Sequence, residues 1–299
     1  MTNRAVIVGV NDYSQQQSLP PGWSVGNLSG CVADASSMQT LLTQNFGFQV
    51  MSCLTDTAAG RDAIVAAVQA MLAASTAGDV ACLVYSGHGG RFPADPANSN
   101  CYYESIIPAS GAPITDLDVY NLASSLQPSV VNFTLILDSC HSGGIHEGTP
   151  DSTITPRSAS YSADYIQTCV SDMTTIIPCG VCLAPGETDM TGNVSNVVGQ
   201  GNGVVCSVDD NKSLVPSSLS TVVAACRFDE TAADGPHGAL TQGLLDVITQ
   251  SNPSVSYSDL IDQLRDDIQN SQQFTQTPTL LGQQNRMDAA FLAGWAASQ

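Results

Sequence analysis

The sequence predicts an α/β protein with a central, mostly parallel β-sheet flanked by helices on both faces. Nearly unbroken apolar runs of strand length, such as residues 79–86 and 131–138, lack the alternation of half-exposed strands. Runs of this kind are typical of parallel strands that are covered on both faces. Segments with apolar residues at three-and-four spacing separate these runs, which indicates amphipathic helices in βαβ order with right-handed crossovers.

The predicted elements follow one another regularly through the first 140 residues. A strand at 5–10 and a polar loop at 11–27 precede a helix at 34–46, which Gly47 ends, a strand at 49–54 and a helix at 61–75. The strand at 79–86, a hairpin strand at 102–108, a helix from Thr115 or Asp116 to about residue 126, and the strand at 131–138 come next. Later elements are a strand at 220–226, helices at 238–249 and 258–270, and a short strand near 288–292.

The alternation fails between residues 145 and 218. This stretch is rich in Ser, Thr, Gly and Asp and is too long for an ordinary connection between two elements. We interpret it as an insertion, partly ordered at best, within a single domain that covers residues 1–299. With 43% apolar residues, the chain can bury a substantial core.

Charge and hydropathy exclude several function classes. The formal net charge of −19, from 27 acidic and 8 basic residues, disfavours nucleic acid and anionic membranes as partners and favours a basic ligand. The N-terminus runs directly into a strand without an apolar leader, and no stretch approaches the roughly 18 apolar residues of a membrane span. We therefore expect a cytoplasmic protein that does not associate with membranes.

The chain contains ten cysteines. In a small secreted protein this count would indicate disulfides, but in a large chain without a leader we expect reduced thiols. The C-x2-C pair of the insertion, with two further cysteines, could hold a structural zinc ion or form a local disulfide, and unlinked thiols are the default interpretation. These four residues are Cys169, Cys179, Cys182 and Cys206.

A cysteine and a histidine each follow a predicted buried strand. Cys140 comes after the strand at 131–138 and His88 after the strand at 79–86, both beside glycines. Catalytic groups collect at the carboxyl ends of strands in open α/β sheets. Since a thiol is a poor nucleophile at its ordinary pKa near 8.5, a neighbouring imidazole that takes its proton would activate it. The pattern predicts Cys140 as nucleophile and His88 as general base and acid.

The other histidines fit this role less well. The side chain of His141 diverges from that of its neighbour Cys140, and His146 and His237 lack a comparable position after a strand. No acidic third member of the site is indicated by the sequence.

The residues around His88 and Cys140 carry a family resemblance. Residues 85–90, YSGHGG, and 138–143, DSCHSG, resemble the histidine and cysteine motifs of the metacaspase and orthocaspase branch of the caspase-like cysteine peptidases. Segments 5–11, 28–35 and 224–232 resemble other blocks of that branch in the same order, so the likeness spans most of the chain. The separation of 52 residues between His88 and Cys140 also resembles the roughly 50 of caspases.

This resemblance implies a caspase-like fold and a monomeric cysteine endopeptidase. Residues 1–144 would form the core of the larger half, residues 219–299 that of the smaller half, and residues 145–218 a linker that is often cut in the family. The backbone amides of Gly89 and Cys140 would form the oxyanion hole that stabilises the tetrahedral intermediate.

Substrate preference can be argued from charge. A pocket for aspartate needs converging arginines, yet the chain has seven arginines and one lysine, and of these Arg91 and Arg227 lie near the predicted site. Asp138 stands two residues before Cys140, where strand alternation can aim its carboxylate toward the substrate. The acid therefore favours a basic side chain at the cleaved position.

The resemblance places Cys31, Asp34, Ser86 and Asp138 in the pocket for this basic side chain, called S1. For two of them a structural role is the alternative. Asp34 could be an acid at a helix N-terminus, and Asp138 a strand-end acid that accepts bonds from loop amides.

We accordingly predict cleavage of proteins or peptides after arginine or lysine, with self-cleavage inside the insertion at Arg157 or Lys212. The chemistry requires no cofactor. Calcium activation is implied by the resemblance, with Glu104, Asp116, Asp118 and Glu147 as candidate ligands, although Asp116-Leu117-Asp118 departs from the adjacent acids of the family and leaves calcium open.

Three alternatives remain at this point. The chain could be a catalytically silent scaffold of the same fold, since fold alone does not establish activity. It could be a peptidase with a different specificity at the cleaved position. The insertion could also serve as a metal-binding partner module.

Overall fold

The computed structural model describes residues 1–19, 23–93, 102–123, 131–139, 155–156, 160–161, 220–227, 230, 232–250, 254–272, 274–282 and 284–294. Within these residues the main sheet has six strands. From one edge to the other they are β13 (Thr279–Leu281), β11 (Thr221–Ala224), β8 (Asn132–Asp138), β4 (Val80–Ser86), β1 (Asn3–Gly9) and β3 (Gln49–Thr55). Every neighbouring pair is parallel except β13 with β11, which confirms the predicted, mostly parallel sheet.

The described part of the chain also contains six α-helices. They are α1 (Cys31–Phe46), α2 (Arg61–Ala73), α3 (Asp116–Ala123), α4 (Ala239–Gln250), α5 (Tyr257–Asp266) and α6 (Gln284–Met287). A short 3₁₀ turn covers Asp56–Ala58, and a π-helical turn, Asp267–Ser271, continues α5. Among the residues that the structure describes, no helix combines the length and apolar character that a membrane span requires.

Short strands lie outside the main sheet. Three of them form an antiparallel unit after β4, namely β5 (Gly89–Pro93), β6 (Tyr102–Ile106) and β7 (Ile114–Thr115). Two further antiparallel pairs join β2 (Trp23–Ser24) to β10 (Ser160–Tyr161) and β9 (Thr155–Pro156) to β12 (Ala233–Asp234).

Strand β1 shows how the sheet forms the middle layer. Val6 and Val8 belong to one apolar cluster, which includes residues of α2 and α3. Ala5 and Ile7 point the other way into a second cluster, with residues of α1, α4 and α5. Because burial of one valine- or leucine-sized side chain is worth about 1.5–3 kcal/mol, both clusters stabilise the sheet. The prediction of helices on both faces is confirmed.

Strands β4 and β8 are adjacent and buried at all seven positions of each. Their register places Ser86 opposite Asp138, the last residue of each strand. The segment that runs from β4 to the predicted base His88 and the segment that runs from β8 toward the predicted nucleophile Cys140 therefore start side by side.

Helix α1 begins three residues earlier than the pattern predicts. The side-chain oxygen of Asn11 accepts from the Cys31 N–H at 2.8 Å, and Asp234 accepts from the N–H groups of Ser29 and Gly30. These long-range bonds satisfy donors at the helix N-terminus, which local sequence does not reveal. The helix ends as predicted at Gly47, whose φ of 64° favours glycine.

The strand predicted near residues 288–292 is wrong. The edge strand is instead β13, in which Leu280 is fully buried. Phe291 packs its ring 5.1 Å from that of Tyr257, and Leu292 has a φ of 54°, which a strand does not allow. Helix α3 extends to Ala123, and residues 124–126 of its predicted end lie outside the described part.

Asp79 joins the starts of β1 and β4. Its carboxylate accepts from the Thr2 N–H at 2.7 Å, the Arg4 guanidinium at 2.8 Å and the Thr76 N–H at 3.0 Å. Burial alone would raise the pKa of Asp79, but the bonds from Thr2, Thr76 and Arg4 outweigh it and hold the pKa at about 2.

We expect Asp79→Asn to lower the free energy of unfolding at pH 7 by about 2 kcal/mol, because the folded state depresses the carboxyl pKa from 3.8 to about 2. A depressed pKa stabilises the fold above the unfolded value and loses this effect as pH falls toward 2. The difference from wild type in denaturant unfolding should therefore shrink below about pH 4.

Asp266→Asn, at an exposed position of α5, is the matched control and should change stability by less than about 0.5 kcal/mol. A loss in Asp79→Asn that is the same at pH 7 and pH 3 would contradict the role assigned to the carboxylate.

Candidate active site

The site lies at the carboxyl ends of β4 and β8. Beyond the paired residues Ser86 and Asp138, the Gly87 N–H still donates to the Asp138 carbonyl at 3.3 Å. The chain from β4 then reaches His88, while the chain from β8 passes through the buried Ser139 toward Cys140. His88 is described, whereas the predicted nucleophile Cys140 lies outside the described residues.

His88 is 3% exposed, and its Nε2 lies 2.8 Å from the carbonyl oxygen of Gly26. A carbonyl only accepts hydrogen bonds, so Nε2 carries the hydrogen and Nδ1 is the basic nitrogen of the neutral ring. Gly26 thus supplies the orienting group that the sequence did not indicate. Because this group is a backbone carbonyl in a polar loop, no side-chain pattern could have revealed it.

Two buried tyrosines also contact His88. Tyr13 has its ring centroid 4.7 Å from that of the imidazole, and its hydroxyl accepts from the His88 N–H at 2.7 Å. Tyr85 donates from its hydroxyl to the His88 carbonyl at 2.8 Å. Burial, with the neighbouring Tyr85, raises the pKa of Tyr13 well above its usual value, so its hydroxyl stays protonated. Sequence analysis missed Tyr13, which lies in the polar loop after β1.

The structure brings together the residues predicted for the S1 pocket. The Ser86 hydroxyl donates to Asp34 Oδ2 at 2.6 Å, and Cys31 lies one turn before Asp34 in α1. Asp138 is opposite Ser86 in the neighbouring strand. All four are at most 1% exposed. Two carboxylates are therefore buried close to the strand ends that also hold His88.

His237 is a member of this group that sequence analysis missed. Its Nδ1 lies 2.9 Å from Asp34 Oδ1, and the Gly238 N–H donates to both oxygens of the same carboxylate at 3.1 and 3.2 Å. His237 lacks the position after a strand that His88 has, yet it contacts the site from another element. It does not follow a strand but precedes α4, so its position just before a predicted helix was the available signal.

Asp138 is held by the first turn of α4. Its Oδ2 accepts from the Thr241 N–H at 2.8 Å and from the Thr241 hydroxyl at 2.7 Å. Amides at a helix N-terminus stabilise negative charge, which explains how both carboxylates can be buried. The structural alternative considered for Asp34 is thus observed, since Asp34 lies in the first turn of α1. Asp138 is a strand-end acid, but the backbone amide that it accepts from belongs to α4 and not to a loop.

The predicted oxyanion donor Gly89 opens β5. The Ile107 N–H donates to the His88 carbonyl at 2.9 Å, so His88 and Ile107 stand at a bonded position of the ladder, although the His88 N–H itself donates to the Tyr13 hydroxyl. Paired residues in antiparallel strands alternate between bonded and non-bonded. Gly89, which pairs with Ile106, therefore turns its N–H away from β6.

The structure describes the side chains of two of the four candidate calcium ligands, Glu104 and Asp118. Asp118 binds the Arg61 guanidinium at 2.8 Å and accepts from the Thr115 N–H at 2.9 Å. Glu104 is buried in β6, the side chain of Asp116 is not described, and Glu147 lies outside the described part. No set of three or more His, Cys, Asp or Glu residues in the described ranges could hold a metal ion.

Several other predictions fall on residues whose structure is not described. They concern Arg157, Lys212, the four cysteines of the insertion and the side chain of Arg91. Arg227, three residues after β11, is exposed. The structure describes four of the ten cysteines, Cys31, Cys53, Cys82 and Cys226, and of these Cys53 and Cys82 are free thiols.

Comparisons with known proteins agree with the resemblance seen in the motifs. Residues 2–289 match the family model described as the caspase domain. The chain is 26% identical to Metacaspase-1 of Schizosaccharomyces pombe, over 93% of this chain and 66% of that protein. It is 26% identical to Metacaspase-9 of Arabidopsis thaliana, over 97% of this chain and 96% of that protein. Metacaspase-4 of the same plant is 34% identical over 48% of this chain and 34% of its own length.

The chain thus spans about two thirds of the fungal relative and about one third of Metacaspase-4. Among solved structures, the protein GSU0716 from Geobacter sulfurreducens aligns with a TM-score of 0.62 over 99% of this chain and 100% of that one. At 20% identity, this likeness supports the fold.

Proposed function

The chain belongs to the caspase domain family, in its metacaspase branch, and on this premise we propose that it is a cysteine endopeptidase that cleaves after arginine or lysine. The observation that carries the proposal is the convergence of His88 with two buried carboxylates, Asp34 and Asp138, at the carboxyl ends of β4 and β8. The His88 imidazole suits the proton transfers of an acyl transfer reaction. The carboxylates of Asp34 and Asp138 suit a cationic side chain of the substrate.

The pairing of β4 with β8 supports a dyad of His88 and Cys140. His88 follows Ser86 by two residues, Cys140 follows Asp138 by two residues, and Ser86 and Asp138 are opposite each other. In this dyad His88 Nδ1 takes the thiol proton of Cys140, because Gly26 keeps the hydrogen of Nε2 in place.

The reaction then has two steps. The Cys140 thiolate attacks the peptide carbonyl carbon, the C–N bond breaks, and the His88 imidazolium gives its proton to the leaving amine. In the second step His88 takes a proton from water, the resulting hydroxide attacks the thioester, and the released thiolate regains the proton. The Gly89 N–H, which faces away from β6, and the Cys140 N–H stabilise the oxyanion in both steps.

The buried carboxylates support a basic side chain at the cleaved position. An arginine side chain presents five N–H donors and a lysine three, and both pair strongly with carboxylates. Asp34 and Asp138 offer carboxylate acceptors for these donors. The uncharged Ser86 hydroxyl of β4, which donates to Asp34 of α1, lines the pocket beside them. The substrates are accordingly proteins or peptides with a basic residue before the cleaved bond, and no step of the reaction uses a metal ion.

The position of β9 and β10 supports Arg157 as the first self-cleavage site. These strands flank Arg157 and pair with β12 and β2. Both partners border the site, since Asp234 of β12 binds Ser29 just before α1 and Ser24 of β2 lies two residues before Gly26.

Matched fluorogenic peptides with Arg, Lys or Asp before the cleaved bond test the main proposal. We expect wild type to hydrolyse the Arg and Lys peptides and Cys140→Ala to lose this activity. Each protein is assayed in two arms, one with calcium and one without. Because the nucleophile itself is removed, the loss should exceed about a thousandfold.

A preference for the Asp peptide would overturn the S1 assignment but leave the dyad in place. Cleavage that survives in Cys140→Ala would overturn the dyad, and no cleavage in either arm would favour a silent scaffold of this fold.

We expect Asp138→Asn to lower kcat/KM for the Arg peptide roughly 10- to 100-fold, mainly through KM, because a charge-assisted bond worth about 1.5–3 kcal/mol is lost. Asp246→Asn is the control, since this acid lies on α4 but binds Gln242 away from the site. An equal loss in both variants, or a loss confined to kcat, would argue against a pocket role for Asp138.

Self-cleavage provides a further prediction. Arg157→Gln should abolish the first internal cut, while Lys212→Gln should leave it unchanged, as judged by intact-mass analysis of fragments from freshly purified protein. Cys140→Ala should stay whole. Identical fragments from the Arg157→Gln, Lys212→Gln and wild-type proteins would refute cleavage at both sites.

A further inference from the structure

One loop, between β1 and α1, makes several contacts with His88. Gly26 of this loop accepts from Nε2, and Tyr13 packs its ring 4.7 Å from the imidazole. The Tyr13 N–H donates to the Asn27 side chain at 2.9 Å, so Tyr13 is tied to the neighbour of Gly26. The Leu28 N–H closes the base of the loop on the Asn11 carbonyl. The contacts of Tyr13 and Gly26 with His88 are therefore mechanically linked.

The hydroxyls of Tyr13 and Tyr85 form a chain with a defined direction. The Tyr85 hydroxyl shares its single hydrogen between the carbonyls of His88 and Ile107, at 2.8 and 2.7 Å. Its oxygen then accepts from the Tyr13 hydroxyl at 3.2 Å, and the Tyr13 oxygen accepts from the His88 N–H at 2.7 Å. The chain of bonds thus begins at the N–H of His88 and ends at the carbonyl of the same residue.

This arrangement is buried and closely packed. Tyr13 is 4% exposed and Tyr85 is fully buried. A Cβ at Gly87 would overlap the hydroxyls of both tyrosines, so the residue before His88 must be glycine if both hydroxyls are to stay in place. Such packing leaves His88 little freedom to shift relative to the loop.

We propose that Tyr13 is a positioning residue, which holds the backbone and the ring of His88 so that Nδ1 stays directed toward the nucleophile. The inference rests on the proposed peptidase function. Removal of the hydroxyl leaves the buried His88 N–H without this acceptor, and removal of the ring also opens space beside the imidazole. Tyr13 touches neither substrate nor reacting atoms in this role and acts through His88.

The test compares Tyr13→Phe and Tyr13→Leu with Tyr257→Phe. Tyr257 is the matched control, because it is equally buried, its pKa is raised to about 12 by burial, and its hydroxyl binds Thr134 at 2.6 Å in the core, away from His88. With the Arg peptide we expect kcat to fall about tenfold in Tyr13→Phe and about a hundredfold in Tyr13→Leu, with KM within about twofold of wild type. Tyr257→Phe should lower the melting temperature without lowering kcat.

A second readout does not depend on activity. The chain has four histidines, so a His88→Gln variant assigns the His88 ring signals in ¹⁵N NMR spectra of the full-length protein. Wild type should show hydrogen on Nε2 alone, and Tyr13→Leu a mixture of both tautomers. If Tyr13→Leu does not fold, Tyr13→Phe supplies the same comparison through kcat and the exchange broadening of these signals.

An unchanged kcat and an unchanged His88 tautomer in the Tyr13 variants would overturn the positioning role. If wild type is active and its activity depends on Cys140, the proposed peptidase function would still stand. A wild type without activity would instead count against the proposed function, and the tautomer comparison would still decide whether Tyr13 positions the ring.

Discussion

The in-register pairing of β4 with β8 is the constraint on which the site depends. Both strands are buried on both faces, and their last residues, Ser86 and Asp138, are directly opposite each other. Because side chains alternate along a strand, a slip of one residue would turn one of these residues to the other face. Because all seven positions of each strand are buried, such a slip would force the side chains on both faces of the sheet to repack. The resulting rigid frame presents His88 and the chain toward Cys140 at one level.

Burying two carboxylates at these strand ends requires compensation, because an isolated buried charge is very costly. The compensation comes from a part of the chain about a hundred residues or more away. Gly238 and His237 bind Asp34, and Thr241 binds Asp138, all of them at the start of α4. Asp234 also binds the residues before α1. Residues 234–241 therefore complete a site whose frame is built by β4, β8 and α1.

Much of this architecture is local in origin and was predictable. The apolar runs predicted β4 and β8, three-and-four spacing predicted α1 and α2, and Gly47 predicted the end of α1. The edge strand was misplaced because Phe291 and Leu292 are as apolar as a strand, yet they pack against Tyr257 and leave β13 to pair with β11. Apolar character indicates burial but does not indicate which neighbour provides it.

The sequence by itself determined the α/β fold class, the position of His88 after a buried strand and the acids Asp34 and Asp138. Only the tertiary structure decided that Gly26 fixes the His88 tautomer, that Tyr13 packs on its ring, and that His237 binds Asp34. The physical reason is separation along the chain. Periodicity and turn residues report on contacts within an element, whereas these bonds join residues 62 to 203 positions apart, which meet because the layers pack in one way.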